Sequence, residues 1–388
     1  MIRHIFKLIW FKRKSNALMV LEIFLAFLVL FAAASFVIYQ LNILSNPLGF
    51  ETKDRWMVSL DGIYNKDSAD AAVILDQLKS DLENSPIVEK VGFTNSIAPF
   101  LNNSSRTSND DMGFNISSYY SEVDRGFFDA AGLKLMRGRW FNEQDQLAKH
   151  RPIVVNELFL KNNFPKKDML DSIIQLNGEC KIVGVIQDYR YQGEFQNPEN
   201  FTFFLSRHTD RTNNCILLEM KSGTPTGDQE KINEIIKGAT KSNSHIIKVL
   251  ESERVNSSRG RWIPIIALLC ICGFLCINIA LGLFGVLWYN INKRRSEIGL
   301  RRALGAHNSD ITKQFVLETL ILAFIAMGLG LIFAFQVPLL KVIDIDNSIF
   351  FKAMAVVILL ITALVLICAY IPSRQASHIH PAKALHED

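Results

Sequence analysis

Lys293-Arg294-Arg295-Ser296-Glu297-Ile298-Gly299-Leu300-Arg301-Arg302-Ala303-Leu304-Gly305-Ala306 lies between two long apolar runs and constrains how the whole chain is laid out. The stretch is basic, helix-forming in composition, and interrupted at Gly299 and Gly305. Charges at this density cannot lie in hydrocarbon, where each costs about 2.5–3.5 kcal/mol at a span centre even on the most lenient scale. The segment therefore sits in water between two membrane spans.

Working outward, a span needs about 20 apolar residues at about 1.5 Å rise each. Four runs qualify: residues 17–41, 263–289, 315–337 and 350–371. Glu22 and Glu318 fall near one end of their runs, where a carboxylate is tolerated. Lys and Arg are dense in three places: the N-terminus (Arg3, Lys7, Lys12, Arg13, Lys14), the connection at 290–314, and the tail from 372 to 388 (Arg374, Lys383). The connection at 338–349 has only Lys341 against Asp344 and Asp346. These segments alternate as four spans require. The basic-side rule puts both termini and 290–314 in the cytoplasm, and residues 42–262 outside.

The first run is longer than the apolar core of a secretory signal, about 7–15 residues, so it reads as an uncleaved anchor. Before it, Ile2, Ile5, Phe6, Ile9 and Trp10 share one helical face and Arg3, His4 and Lys7 the other. Residues 1–14 thus read as an amphipathic helix on the inner membrane surface or as a basic leader that fixes topology.

Residues 42–262 suffice for one large core or two small ones. Their two ends carry matching patterns. Strand 55–60, helix 68–83 (Ala72, Leu75, Leu78, Leu82) and strand 87–94 are mirrored by strand 215–220, helix 228–240 (Ile232, Ile235, Ile236) and strand 246–250. Segments 42–95 and 215–262 therefore predict a split β-α-β lobe with helices on one sheet face. The stretch 96–214 is an inserted, strand-rich lobe, with short β-branched runs at 152–155 and 181–186. Residues 102–111, rich in Ser, Asn and Asp, predict a mobile loop, and Asp188-Tyr189-Arg190-Tyr191 a turn with packing aromatics. The fold class is a membrane protein with four transmembrane α-helices and a large α+β extracytoplasmic domain.

Chemistry is sparse. Cys180 and Cys215 are the two cysteines of the outside region, where a disulfide is permitted but not required. Cys270, Cys272, Cys276 and Cys368 read as packing residues in spans, and Asn278 as an interhelix hydrogen bonder. The sequence has no GxxxxGK[ST] loop, no HExxH helix and no GxSxG turn, and 223–228 lacks the lysine that reaches phosphates. His378, His380 and His386 read as a solvated tail. No catalytic, cofactor or metal site is predicted, and nothing points to nucleic acid.

The opening stretch exceeds a topology anchor in three respects. Glu297 and Arg301 are four apart and can pair along a helix. Ile298, Leu300 and Leu304 are apolar on a segment too short to bury itself, so they require a partner surface or the bilayer face. Gly299 and Gly305 permit close approach or a sharp turn.

These residues carry a resemblance. Residues 295–306 are similar to the R-x-E-I-G-[IL]-R-[RK]-A-[LIV]-G-A signature of the MacB/FtsX/LolE-type ABC transporter permeases, the type VII or mechanotransmission family. Residues 311–320, with Gln314, Phe315 and Glu318, resemble the family's entry into its third span. The tail, with Pro372, Arg374 and Pro381, is similar to its ending, although Ser373, Ser377 and His380 depart from the usual pattern. Residues 127–141, 154–157 and 182–188 resemble the family's periplasmic core domain.

The resemblance implies an inner-membrane permease subunit and no enzyme. It implies porter-like and sabre-like lobes outside, a second permease chain in a homodimer or heterodimer, and contact with membrane lipid. A separate cytoplasmic ABC ATPase would bind ATP and Mg and supply hydrolysis. The chain would convert that hydrolysis into movement of its periplasmic domain, for export or efflux of a periplasmic or envelope substrate. Whether a periplasmic adaptor and an outer-membrane channel join it stays open. The implied ATPase-coupling residues are Arg294, Arg295, Glu297, Ile298, Gly299, Arg301, Arg302, Ala303, Leu304 and Gly305, with secondary contacts at Glu318, Arg374 and Pro381. Two other uses remain compatible: an FtsX-like regulator that switches on an outside hydrolase, and a ligand sensor.

Overall fold

The computed structural model describes residues 13–95, 97–101, 103–109, 116–242, 244–305, 307–340 and 345–377, apart from the side chains at 13–16, 64, 109, 302 and 376–377. It divides into a helical unit, Met1–Asn42 with Ile263–Asp388, and a sheet unit, Ile43–Trp262. The expected amphipathic segment before residue 13, and the tail beyond 377 with its histidines and Pro381, lie outside the described residues.

In chain order the elements begin with α1 (Arg13–Leu44), β1 (Arg55–Leu60), α2 (Ser68–Glu83), β2 (Val88–Thr94), β3 (Arg106–Asn109), β4 (Ile116–Val123), α3 (Phe127–Ala131) and β5 (Leu135–Gly138). Then come β6 (Arg151–Asn156), α4 (Glu157–Asn163), β7 (Ile173–Gln175), β8 (Glu179–Ile186), β9 (Phe201–Leu205), β10 (Cys215–Met220), α5 (Gln229–Thr240) and β11 (His245–Val249). The chain ends with α6 (Leu250–Lys293), α7 (Arg295–Ala303), α8 (Asn308–Leu339) and α9 (Asn347–Ser377).

Among the described residues four helices, α1, α6, α8 and α9, are long and apolar enough to cross a membrane. Their contacts follow the helical repeat. Ile23, Phe27 and Phe31, four apart on α1, pack with Ala323, Ala326 and Met327 of α8 and with Ala353, Val357, Ile361 and Val365 of α9. The small side chains let the backbones approach, which supplies the dispersion energy that replaces a hydrophobic drive in lipid. Asn278 makes a bond within its own helix: its amide donates to the Phe274 carbonyl one turn back, 2.9 Å away.

The sheet unit is built on one mixed sheet of order β11-β1-β10-β2-β4-β9-β6-β8-β5, with β3 beside β4 and β7 beside β8. The first four strands are mutually antiparallel and form the split β-α-β lobe with α2 and α5. Trp56, Val58 and Leu60 alternate onto the helix-covered face of β1, where they meet Leu75, Leu78, Leu82, Ile232 and Ile236. The stripe on α2 starts at Ala71, four residues before Leu75, and not at Ala72, which is half-buried. The inserted lobe holds the other five main strands and meets the first lobe in the sheet at one pairing, Thr94 with Val123, backed by a core that takes Met57, Cys215 and Leu217 from the first lobe and Val123, Phe127 and Phe203 from the inserted one. Part of the expected mobile loop is ordered as strand. Arg106–Asn109 pairs with β4, and Arg106 lies over the Tyr119 ring and bonds Glu199.

Close approach governs the back of the first lobe. A Cβ at Gly92 would stand 2.4 Å from the Phe127 Cα and 2.8 Å from its nitrogen. Backbone cannot yield as a side-chain tip can, so Gly92→Ala should destabilise the fold by about 1–3 kcal/mol, the usual cost of overpacking. A lowered thermal midpoint of the full chain checks this, and an unchanged midpoint contradicts it. The disulfide left open by the sequence is also settled. Cys180 and Cys215 are free and lie in different cores, and the Cys180 thiol donates to the Leu176 carbonyl at 2.9 Å. Burial pushes the Cys180 thiol above its usual range and the Cys215 thiol up to about 11, so both stay protonated and unreactive near neutral pH.

Candidate coupling segment

The basic stretch folds as a short helix fastened on one side. After α6 ends at Lys293 the chain turns at Arg294, whose carbonyl accepts from the Ile298 amide at 2.9 Å. Arg294 is 8% exposed despite its charge. Its Nη1 donates to both Glu318 carboxylate oxygens, at 3.2 and 2.9 Å, and its guanidinium carbon lies 5.7 Å from the Phe315 ring centroid. Glu297 approaches Arg294 Nε at 3.7 Å. A second tie lies one turn along. Arg301 donates to Glu297 at 2.6 Å and to Gln314 at 2.7 Å, and the Gln314 amide donates to Glu318 at 3.2 Å. Two arginines of the α6–α8 connection are thus clamped onto three polar side chains, of which Gln314 and Glu318 are one turn apart on α8.

Apolar contacts reinforce the clamp. Ile298 is buried against Ile291, Ile311 and Phe315, so its surface is neither a partner nor the bilayer, as the sequence suggests, but this chain itself. Gly299 is buried within α7, which also touches α9. The opposite face is bare. Leu300 is 53% and Leu304 79% exposed, with Ala303 exposed between them. The Leu304 amide still donates to the Leu300 carbonyl at 3.0 Å, and Gly305 then leaves the helix at φ +97°, a conformation that suits glycine.

The structure therefore sorts the sequence-derived set by orientation. Arg294, Ile298, Gly299 and Glu318 face inward, Glu297 and Arg301 bridge, and Ala303, Leu304 and Gly305 face out. Arg295 is half-buried and Arg374 is exposed at the end of α9. The Arg302 side chain, Ala306 and Pro381 lie outside the described residues. Gln314 went unassigned from sequence, although a Gln–Glu pair four apart at the head of an apolar helix is a readable signal. Among the described residues no group of three His, Cys, Asp or Glu side chains is placed to hold a metal.

Two family models match this chain. The MacB-like periplasmic core domain covers residues 17–235, more than half of the chain, and the FtsX-like permease C-terminal domain covers residues 267–381. The chain belongs to the MacB/FtsX type of ABC transporter permease. Among curated relatives, the macrolide export ATP-binding/permease protein MacB of Rhodopseudomonas palustris is 25% identical over 292 residues, 71% of this chain and 44% of that protein. The uncharacterized ABC transporter permease YknZ of Bacillus subtilis is 22% identical over 284 residues, 68% of each chain. The chain thus spans less than half the length of the first relative. The crystal structure of the periplasmic region of MacB from Actinobacillus actinomycetemcomitans aligns with a TM-score of 0.37 at 16% identity, covering 55% of this chain and 97% of that one.

Proposed function

We propose that this chain takes mechanical work from a cytoplasmic ABC ATPase on another chain and delivers it to its sheet unit, on the periplasmic side, to export or expel an envelope substrate. Both termini and residues 290–314 face the cytoplasm in this reading. The observation that carries it is the two-sidedness of α7. A helix held by two arginine clamps and an isoleucine core on one face shows a bare Leu300–Leu304 pair on the other. Clamping makes α7 and α8 move together, and the bare pair gives a partner an apolar patch to seat. ATP and Mg bind the partner, and this chain contributes no catalytic residue. The exposed apolar face of α6, including Ile266, Phe274, Ile277 and Leu281, contacts lipid and a second permease chain.

The test is purification of the tagged full chain from its native membrane into nanodiscs, followed by assay of vanadate-sensitive ATP hydrolysis. Hydrolysis should accompany the chain and depend on its α7 sequence. A preparation whose hydrolysis is the same with α7 intact or altered would defeat the reading.

A further inference from the structure

The start of β6 and the end of β9 enclose a small cationic cavity in the inserted lobe. The two strands run antiparallel with Ile153 opposite Phe204, which brings the chain entering β6 alongside the chain leaving β9. The cavity there has a volume of about 310 Å³, at the small end for ligand sites. Three cations line it, Lys149, Arg151 and Arg207, against one acid, Asp145. Pro152 and Leu205 supply an apolar side.

The acid is already neutralised. Asp145 is buried in the turn at 143–147, and its two oxygens accept from Arg139 at 2.6 and 2.8 Å. One of them also accepts from the Asn142 amide at 2.8 Å. Arg151 is fixed in place. Its Nη2 donates to Glu122 at 2.7 Å, and its guanidinium carbon lies 4.2 Å from the Phe204 ring centroid. Arg207 is anchored by its backbone, whose carbonyl accepts from the buried Asn213 side chain at 2.6 Å and from the Asp210 amide at 3.0 Å. Among the described residues, neither the Arg207 guanidinium nor the Lys149 ammonium bonds an acid. Two cations therefore line one cavity without a counter-charge, and their mutual repulsion favours whatever anion joins them.

We infer that this cavity binds a phosphate monoester. Such a group carries a charge of about −1.5 to −2 near neutral pH and offers three strong acceptor oxygens, so a single one can satisfy Lys149 and Arg207 together. The planar guanidinium of Arg207 suits two of those oxygens at once. A carboxylate brings one charge and leaves one cation over. The organic part of the ester lies along Pro152 and Leu205. Leu147, 87% exposed two residues before Lys149, offers a further apolar contact. A small free ester and the headgroup of a lipid such as phosphatidic acid present the same chemistry. The site lies apart from the coupling segment and does not rest on the function proposed above.

The experiment titrates phenyl phosphate into the full chain, held in phosphatidylcholine nanodiscs near neutral pH, and reads binding by calorimetry. Binding should saturate and should weaken as sodium chloride is added. Lys149→Met and Arg207→Met should each weaken it about 10- to 100-fold, as loss of one hydrogen bond to a charged group does, and together they should abolish it. Both side chains are exposed, so the thermal midpoints of these variants should match that of the unaltered chain. Lys237→Met, at an exposed lysine of the other lobe, should bind as the unaltered chain does. Benzoate, with its single charge, should bind about 10-fold more weakly or worse. Dihexanoyl phosphatidic acid separates the two sources. Tighter binding than phenyl phosphate assigns a lipid headgroup, and binding no tighter assigns a free ester. The site is overturned by any of four results: no saturable binding of either ester, binding that survives in the double variant, equal loss in Lys237→Met, or equal affinity for benzoate.

Discussion

Leu304→Asp should abolish most of the hydrolysis that depends on this chain while leaving its fold intact. Leu304 is 79% exposed, so the chain itself loses almost no packing, and surface substitutions of this kind stay within about 0.5 kcal/mol. If the Leu300–Leu304 face seats in a partner, the introduced carboxylate is desolvated without a counter-charge. Buried apolar anchors at interface centres cost about 2–4 kcal/mol when lost, which corresponds to roughly 30- to 1000-fold weaker association. Leu304→Met keeps an apolar chain of similar size and should behave like the unaltered protein. The measurements are ATPase recovered with the tagged chain and the chain's own thermal midpoint. Full recovery of ATPase with Leu304→Asp would remove α7 from the interface.

Arg294→Met should be the most destabilising single change in the helical unit. It deletes one partner of a buried pair and leaves Glu318, itself little exposed, with the Gln314 amide as a donor but without the Arg294 counter-charge. Breaking such a pair by removing one member costs about 3–5 kcal/mol, whereas replacing both members by apolar residues is often neutral. Arg294→Met with Glu318→Leu should therefore recover most of the loss. Thermal unfolding of the single and double variants in one lipid composition decides it. A single variant as stable as the unaltered protein would show that the Gln314 amide and water suffice for Glu318. A double variant as weak as the single would show that Arg294 acts through packing on Phe315 and not through charge. The double variant also separates stability from coupling. If it folds but recovers no ATPase, the polar clamp is needed for transmission itself.

The coupling segment was legible because its strongest constraint is local. Charges excluded from lipid mark residues 293–306 in any reading, and the Glu297–Arg301 bond spans only one helical turn. The partners of Arg294 were less legible, since Glu318 lies 24 residues away and read simply as a tolerated charge near a span end. The helical repeat puts Ile298 on the side opposite Leu300 and Leu304, but the repeat alone does not say which side is covered. Only the packing of Ile291, Ile311 and Phe315 around one of them showed which face was already occupied. Asp188-Tyr189-Arg190-Tyr191 gave least away. Its arginine bonds carbonyls more than 140 residues distant, and backbone carbonyls carry no side-chain signature.

The amino-acid order by itself determined the four spans, the water-exposed basic helix between two of them, and the paired strand–helix–strand patterns of the sheet unit. These follow from hydrophobicity and periodicity, which act over one element at a time. Tertiary structure decided which face of the basic helix stays open, that Cys180 and Cys215 lie in separate cores, and that Arg190 finds its partners among the carbonyls of residues 43–47. Each of those depends on which distant atoms arrive within about 3 Å, the reach of a hydrogen bond, and that is a property of the folded chain.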